Sequence, residues 1–275
     1  MRIRAGFEIV YQCPQPTPML LVLSPHPSRL PDLEGPHQLL FDPSIVATEY
    51  HDSFGNLCHR IVAPAGRLMV ATEFVVRDSG APDPAVVDAV QHGIDELPDE
   101  ALVFLLGSRY CETDRLSDLA WSLFGGTAPG WARVQAICDY VHDRITFGYE
   151  HADPTRTAFT GHGERCGVCR DFAHLAVTLC RCMNIPARYC TGYLGDIGVP
   201  PSDTPMDFSA WFEVYLGGQW HTFDARHNTP RIGRILMARG RDATDVAMVT
   251  SFGACRLDGF TVVTEEVRPR LAGAA

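Results

Sequence analysis

Gly163-Glu164-Arg165-Cys166-Gly167-Val168-Cys169-Arg170-Asp171-Phe172-Ala173-His174-Leu175 joins a glycine-punctuated loop to a run of apolar residues. Phe172, Leu175, Ala176, Leu179 and Met183 recur at steps of three and four, which predicts an amphipathic helix. Asn184 and Pro186 close it, because proline cannot continue a helix and disfavours helical geometry in the residue before it. Cys169 therefore falls within one turn of a helix N-terminus. Unpaired N–H groups and the positive end of the helix dipole favour a thiolate there, and Arg170 adds a nearby positive charge. Cys169 is the candidate nucleophile.

On the N-terminal side of that helix the period is helical as far back as Val86. Val86, Val87, Val90, Ile94 and Leu97 suggest a loose helical face before Pro98, and Glu100–Leu106 reads as a short helix or an extended stretch. Leu116–Phe124 and Trp131–Ile145 read as helices, the latter with Val134, Ile137, Val141 and Ile145 on one stripe. On the C-terminal side Ala187–Leu194, Ala210–Leu216 and Gln219–Phe223 read as strands, the last two joined through Gly217-Gly218 as a hairpin, and Phe260–Val267 as a final strand. Residues 1 to about 85 hold only strand candidates: Ile3–Tyr11, Met19–Leu23, Ile45–Tyr50, His59–Ala63 and Leu68–Val76. The turn cluster Asp52-Ser53-Phe54-Gly55-Asn56 lies between the third and fourth. Asp78-Ser79-Gly80-Ala81-Pro82-Asp83-Pro84 is the clearest break in composition. The expected organisation is α+β: a small all-β domain over 1–80, then a core over 81–275 in which the cysteine helix packs on an antiparallel sheet.

Composition narrows the function. A formal charge of −10 over 275 residues argues against a nucleic-acid backbone as partner. The basic run Arg231, Arg234, Arg239, Arg241 reads as a solvated face. No segment has the apolar length of a membrane span, and Met1-Arg2-Ile3-Arg4 puts charge where a signal peptide needs its apolar core, so a cytoplasmic location is expected. The ten cysteines are then expected to be reduced, most of them small buried hydrophobes. Cys13, Cys58, His26 and His59 read as structural.

Gly167-Val168-Cys169-Arg170-Asp171-Phe172-Ala173-His174-Leu175 resembles the nucleophile motif of bacterial transglutaminase-like proteins, a papain-like cysteine clan. Ile185–Leu194 is similar to the strand that follows it there, Phe223-Asp224-Ala225 stands where that family carries its catalytic Asp, and Gly240-Arg241-Asp242 matches a motif downstream. Tyr50–Asn56 resembles part of the β-rich domain often attached to the core. The resemblance covers about residues 86 to 270. It implies a Cys-His-Asp site, with Cys169 on a helix and the other two groups on adjacent strands. It implies a peptide or protein substrate, and no cofactor is expected.

One position departs from the pattern. The family's His-Ala-Trp falls on Ser209-Ala210-Trp211, and serine cannot act as a general base near neutral pH. His227, close after Asp224 in one short loop, is the first candidate for the missing imidazole. His221 alternates to the opposite strand face from Asp224, His162 lies in the loop before Cys169, and His174 lies about a turn and a half into the helix. The expected chemistry is attack of Cys169 on an amide carbonyl to give a thioester, with Asp224 orienting the base and backbone N–H groups at the helix terminus holding the oxyanion. Hydrolysis is favoured over cross-linking, since no calcium-loop pattern is visible. Three alternatives stand beside it: a reversible Cys166–Cys169 disulfide, a zinc site, and a catalytically impaired binding module. Zinc fits poorly, because Cys169 and Cys180 are separated by roughly 16 Å along one helix axis. Oligomeric state and substrate identity stay open.

Overall fold

The computed structural model describes residues 1–202 and 204–267. Alternation builds the first layer. β1 (Arg2–Cys13) and β6 (Gly66–Arg77) pair antiparallel along their whole length, with Ile3, Ala5, Phe7 and Ile9 of one and Leu68, Val70, Phe74 and Val76 of the other turned inward. β3 (Leu40–Asp42) joins β6 at the edge of their sheet, and β2 (Thr17–Leu21), β5 (Leu57–Ala63) and β4 (Thr48–His51) pair in a second sheet. The expected turn forms: Asp52 Oδ1 accepts the backbone N–H groups of Phe54 and Asn56 at 2.8 and 2.9 Å.

Helices follow: α1 (Asp99–Leu102), α2 (Thr113–Phe124), α3 (Trp131–Arg144), α4 (Ala158–Glu164) and α5 (Cys169–Cys182), with the short parallel pair β7 (Thr146–Phe147) and β8 (Cys166–Gly167) just ahead of α5. The segment 86–97 does not form the expected helix. Val87, Val90 and Ile94 are exposed, so no apolar face is buried to stabilise a short helix in water. Instead Ala89 and Val90 offer carbonyls to the N–H groups of Trp131 and Gly217.

The core sheet runs β11-β10-β9-β12, from β9 (Ala187–Tyr193), β10 (Ser209–Leu216), β11 (Gln219–Phe223) and β12 (Ile235–Gly240). Helix α5 lies on one face of it, its Phe172, Leu175, Ala176 and Leu179 sharing a core with Phe212, Val214 and Leu216. Each large side chain in that core contributes about 1.5–3 kcal/mol. Arg181 anchors the helix C-terminus: buried, it donates to the carbonyls of Ala187, Leu106 and Arg241 at 2.6–3.0 Å.

The sheet also meets the β-layer, where Tyr193, Ile235 and Met237 join the cluster of Ile3, Phe7 and Phe74. β13 (Val249–Ser251) and β14 (Arg256–Glu266) then pair with β2 and β1, so the last described strand lies beside the first. Cys13 and Cys255 form a disulfide between these two segments, which corrects the expectation of reduced thiols throughout. Cys58, Cys111, Cys138, Cys180, Cys182 and Cys190 are buried free thiols. The basic run is also corrected. Arg231 and Arg234 are buried, because Asp83, Asp196 and Asp224 supply partners for them.

Candidate active site

Cys169 is the first residue of α5 and half-buried. Asp171 fixes the approach to it by accepting the Val168 N–H at 2.8 Å, and Arg156 holds Asp171 in turn at 3.3 Å. Arg170 is not aimed at the sulfur as expected. It donates to the Asp153 carbonyl and lies near the face of Tyr110. The guanidinium that acts on the sulfur is that of Arg226. Burial pushes the Cys169 thiol up to about 11, and Arg226 and the Ala210 N–H only partly oppose it. The resting group is therefore a thiol, where the helix terminus alone suggested a thiolate. Cys166 and Cys169 are both free.

Asp224 follows β11 directly and is buried. Its Oδ2 accepts from His227 Nδ1 at 2.8 Å and from Arg234 Nη2 at 2.8 Å, while its Oδ1 accepts the backbone N–H groups of Arg226 and His227 at 3.0 and 3.1 Å. Burial alone would raise this carboxyl, but Arg234 and the His227 donors outweigh it and hold it well below the usual carboxylate range. An ionised Asp224 fixes the His227 tautomer with the proton on Nδ1, leaving Nε2 as the ring's acceptor.

Sequence reasoning missed the groups that hold this loop. His142 Nδ1 donates to the Arg226 carbonyl at 2.9 Å, and Gln135 and Asp139, also on α3, bond the Asn228 side chain at 2.9 and 2.8 Å. Asn228 has φ +50°, a left-handed turn that asparagine tolerates, and Asn directly after His227 was the available signal.

His227, Arg226, Tyr149, Asp207 and Ser209 line one cavity of about 110 Å³. The other histidines lie elsewhere. His221 Nε2 donates to the Leu216 carbonyl at 3.1 Å, His162 Nε2 pairs with the Tyr140 hydroxyl at 2.7 Å, and His174 is buried between Tyr110 and Tyr189 with Nε2 accepting the Ala243 N–H at 3.1 Å. Burial pushes the His174 ring down to about 3, so it is a neutral packing group. Among the described residues no imidazole is hydrogen-bonded to the Cys169 sulfur. Ser209 is buried opposite Gly192, and its Oγ has no hydrogen-bond partner. Ser209→Ala is therefore expected to leave stability unchanged or raise it by about 1 kcal/mol in urea denaturation, since it removes an unsatisfied hydroxyl. A loss of more than that would show a bond Ser209 makes in solution.

The architecture, a helix bearing a cysteine at its N-terminus on an antiparallel sheet with a β-layer ahead of it, is the transglutaminase-like, papain-like fold. Residues 118–225 match the transglutaminase-like superfamily, a segment that contains Cys169, Ser209 and Asp224 and stops two residues short of His227. A crystal structure of a proposed cysteine protease from Cytophaga hutchinsonii is similar over 99% of this chain and 92% of its own, at 29% identity and a TM-score of 0.83. An uncharacterised protein of Mycobacterium leprae is 35% identical over 109 residues, 36% of this chain and 37% of its own. One from Mycobacterium tuberculosis is 30% identical over 135 residues, 43% of each. The matches thus span less than half the length of these curated relatives. No described helix is long and apolar enough to cross a membrane.

Proposed function

We propose that the protein is a thiol-dependent amide hydrolase or acyl transferase acting on peptides or proteins, with Cys169 as nucleophile, His227 as base and Asp224 orienting the imidazole. The observation that carries this reading is the Asp224–His227 contact at 2.8 Å, its carboxylate kept ionised by Arg234, on a loop lining a cavity with Ser209. His227 supplies the imidazole that position 209 lacks. Because Cys169 rests as a thiol, its proton must leave during attack. His227 Nε2 takes the proton as sulfur adds to the carbonyl carbon, then returns it to the departing amine as the C–N bond breaks. Water or a second amine resolves the thioester, releasing the acyl group and restoring the thiol. The similarity to the Cytophaga protein supports the same class of chemistry.

A second reading, an impaired domain that binds without turnover, draws on Ser209 and on the absence, among the described residues, of an imidazole bonded to the sulfur. An activated acyl donor separates the two. With 4-nitrophenyl acetate, acetylation of Cys169 located by mass spectrometry, followed by deacylation, is expected for the enzyme, and Cys169→Ser abolishes it. Acetylation of Cys169 no faster than of free cysteine would favour the binding module.

A further inference from the structure

Arg226 is held by both its side chain and its backbone. Its guanidinium carbon lies 3.7 Å from the centre of the Phe147 ring, and Phe147 is paired in the β7–β8 bridge with Gly167, two residues before Cys169. The backbone of Arg226 is pinned on both sides, by Asp224 at its N–H and His142 at its carbonyl. Its side chain is half-buried and lines the cavity that Ser209 and His227 share. The cavity's other cation, Arg231, is committed to the Gly195 carbonyl at 3.0 Å and to Asp196 at 3.7 Å. Arg226 has no carboxylate within ion-pair distance among the described residues. The remaining acid, Asp207, accepts the N–H of its own neighbour Phe208 at 2.6 Å, and burial raises its carboxyl toward the neutral form. The wall that Ser209 and His227 share therefore presents one aromatic-backed guanidinium with no ion-paired carboxylate, with the Tyr149 hydroxyl and Asp207 close to it. An aromatic-backed guanidinium of this kind matches a planar carboxylate.

We propose that Arg226 is a specificity-determining residue that receives a carboxylate carried by the acyl substrate beside its scissile amide, so that the site selects acidic peptides. This rests on Cys169 being the nucleophile. Arg226 positions the substrate and takes no part in proton transfer, which belongs to His227.

Two alkylating reagents differing in charge test it without a known substrate. Iodoacetate and iodoacetamide both react with the thiolate, forming the S–C bond and expelling iodide, so their rate ratio at one pH cancels any change in thiolate fraction. In the wild type, the ratio of iodoacetate to iodoacetamide labelling at Cys169 is expected about 10-fold above that of free cysteine. It should fall to the free-cysteine value in Arg226→Gln and be largely kept in Arg226→Lys, which retains the charge and controls for misfolding. A ratio unchanged in Arg226→Gln overturns the proposal while leaving the nucleophile intact. No labelling of Cys169 by either reagent overturns the nucleophile itself.

Protection against iodoacetamide then assigns the carboxylate. Acetyl-diglycine carries it only at the chain end, and acetyl-glutamyl amide only on the side chain. Protection by the first assigns a terminal carboxylate, protection by the second an acidic residue, and protection by neither overturns the peptide assignment.

Discussion

Arg234→Met is expected to lower the unfolding free energy by about 3–5 kcal/mol, because it leaves the buried Asp224 carboxylate without its main counter-charge. Arg234 donates to Asp224 and to Asp83 at 2.8 Å each, with 7% of its side chain exposed, and its guanidinium lies over Trp211. Domains of ordinary size have about 5–15 kcal/mol in total, so the loss is a large share of it. The pH dependence follows from the direction of the Asp224 shift. A carboxyl depressed in the folded state contributes stability that is fully present above its unfolded value of about 4, and loses it as pH falls through the lower folded value. The unfolded value is common to wild type and variant, so the gap between them should hold near neutral pH. It should narrow in acid as the Asp224 of the variant, buried without Arg234, takes up a proton before that of the wild type. Urea titrations at pH 7 and pH 3 check both parts. A difference under about 1 kcal/mol at pH 7 would mean that water or a shifted proton replaces the guanidinium.

His227→Ala carries the second large effect. Removing the proposed base from a thiol that rests protonated should slow acetylation of Cys169 by 4-nitrophenyl acetate about 10²–10⁴-fold. The fold should tolerate the change, since Asp224 keeps Arg234 and the two backbone donors. Asp224→Asn should reproduce much of the kinetic loss, because an amide no longer enforces the Nδ1–H tautomer. Wild-type acetylation rates in His227→Ala, measured at Cys169 by mass spectrometry, would remove the imidazole from the proposed mechanism.

The cysteine helix, the hairpin Ser209–Phe223 and the turn at Asp52 were legible because each is specified locally, by period or by turn chemistry. Helix α5 carries both its stripe and its stop signals within twenty residues. β12 was not legible. Ile235–Gly240 sits among arginines that read as a solvated surface, and only Asp83 and Asp224, distant in sequence, make burial of Arg234 possible. The same holds for the thiol. Helix geometry favours the anion at Cys169, whereas its acidity is set by how deeply Tyr189, Ala210 and the segments packed with them bury the sulfur. Asp224 and His227 could be paired from their spacing alone. Arg226 could not be singled out, because its meaning depends on Phe147, a partner contributed by a two-residue strand.

The pairing of β14 with β1 also bears on the order in which the molecule can assemble. Ile3 stands opposite Glu266, so one edge of β1 waits for a strand far along the sequence. Until then β1 can pair only with β6, and its free edge is open to wrong partners. Contacts of such long sequence separation are formed slowly, since the loop closure comes before the gain. The β-layer that braces the core sheet is thus begun before that sheet and completed after it, so helix α5 can have its own sheet before that sheet has its support.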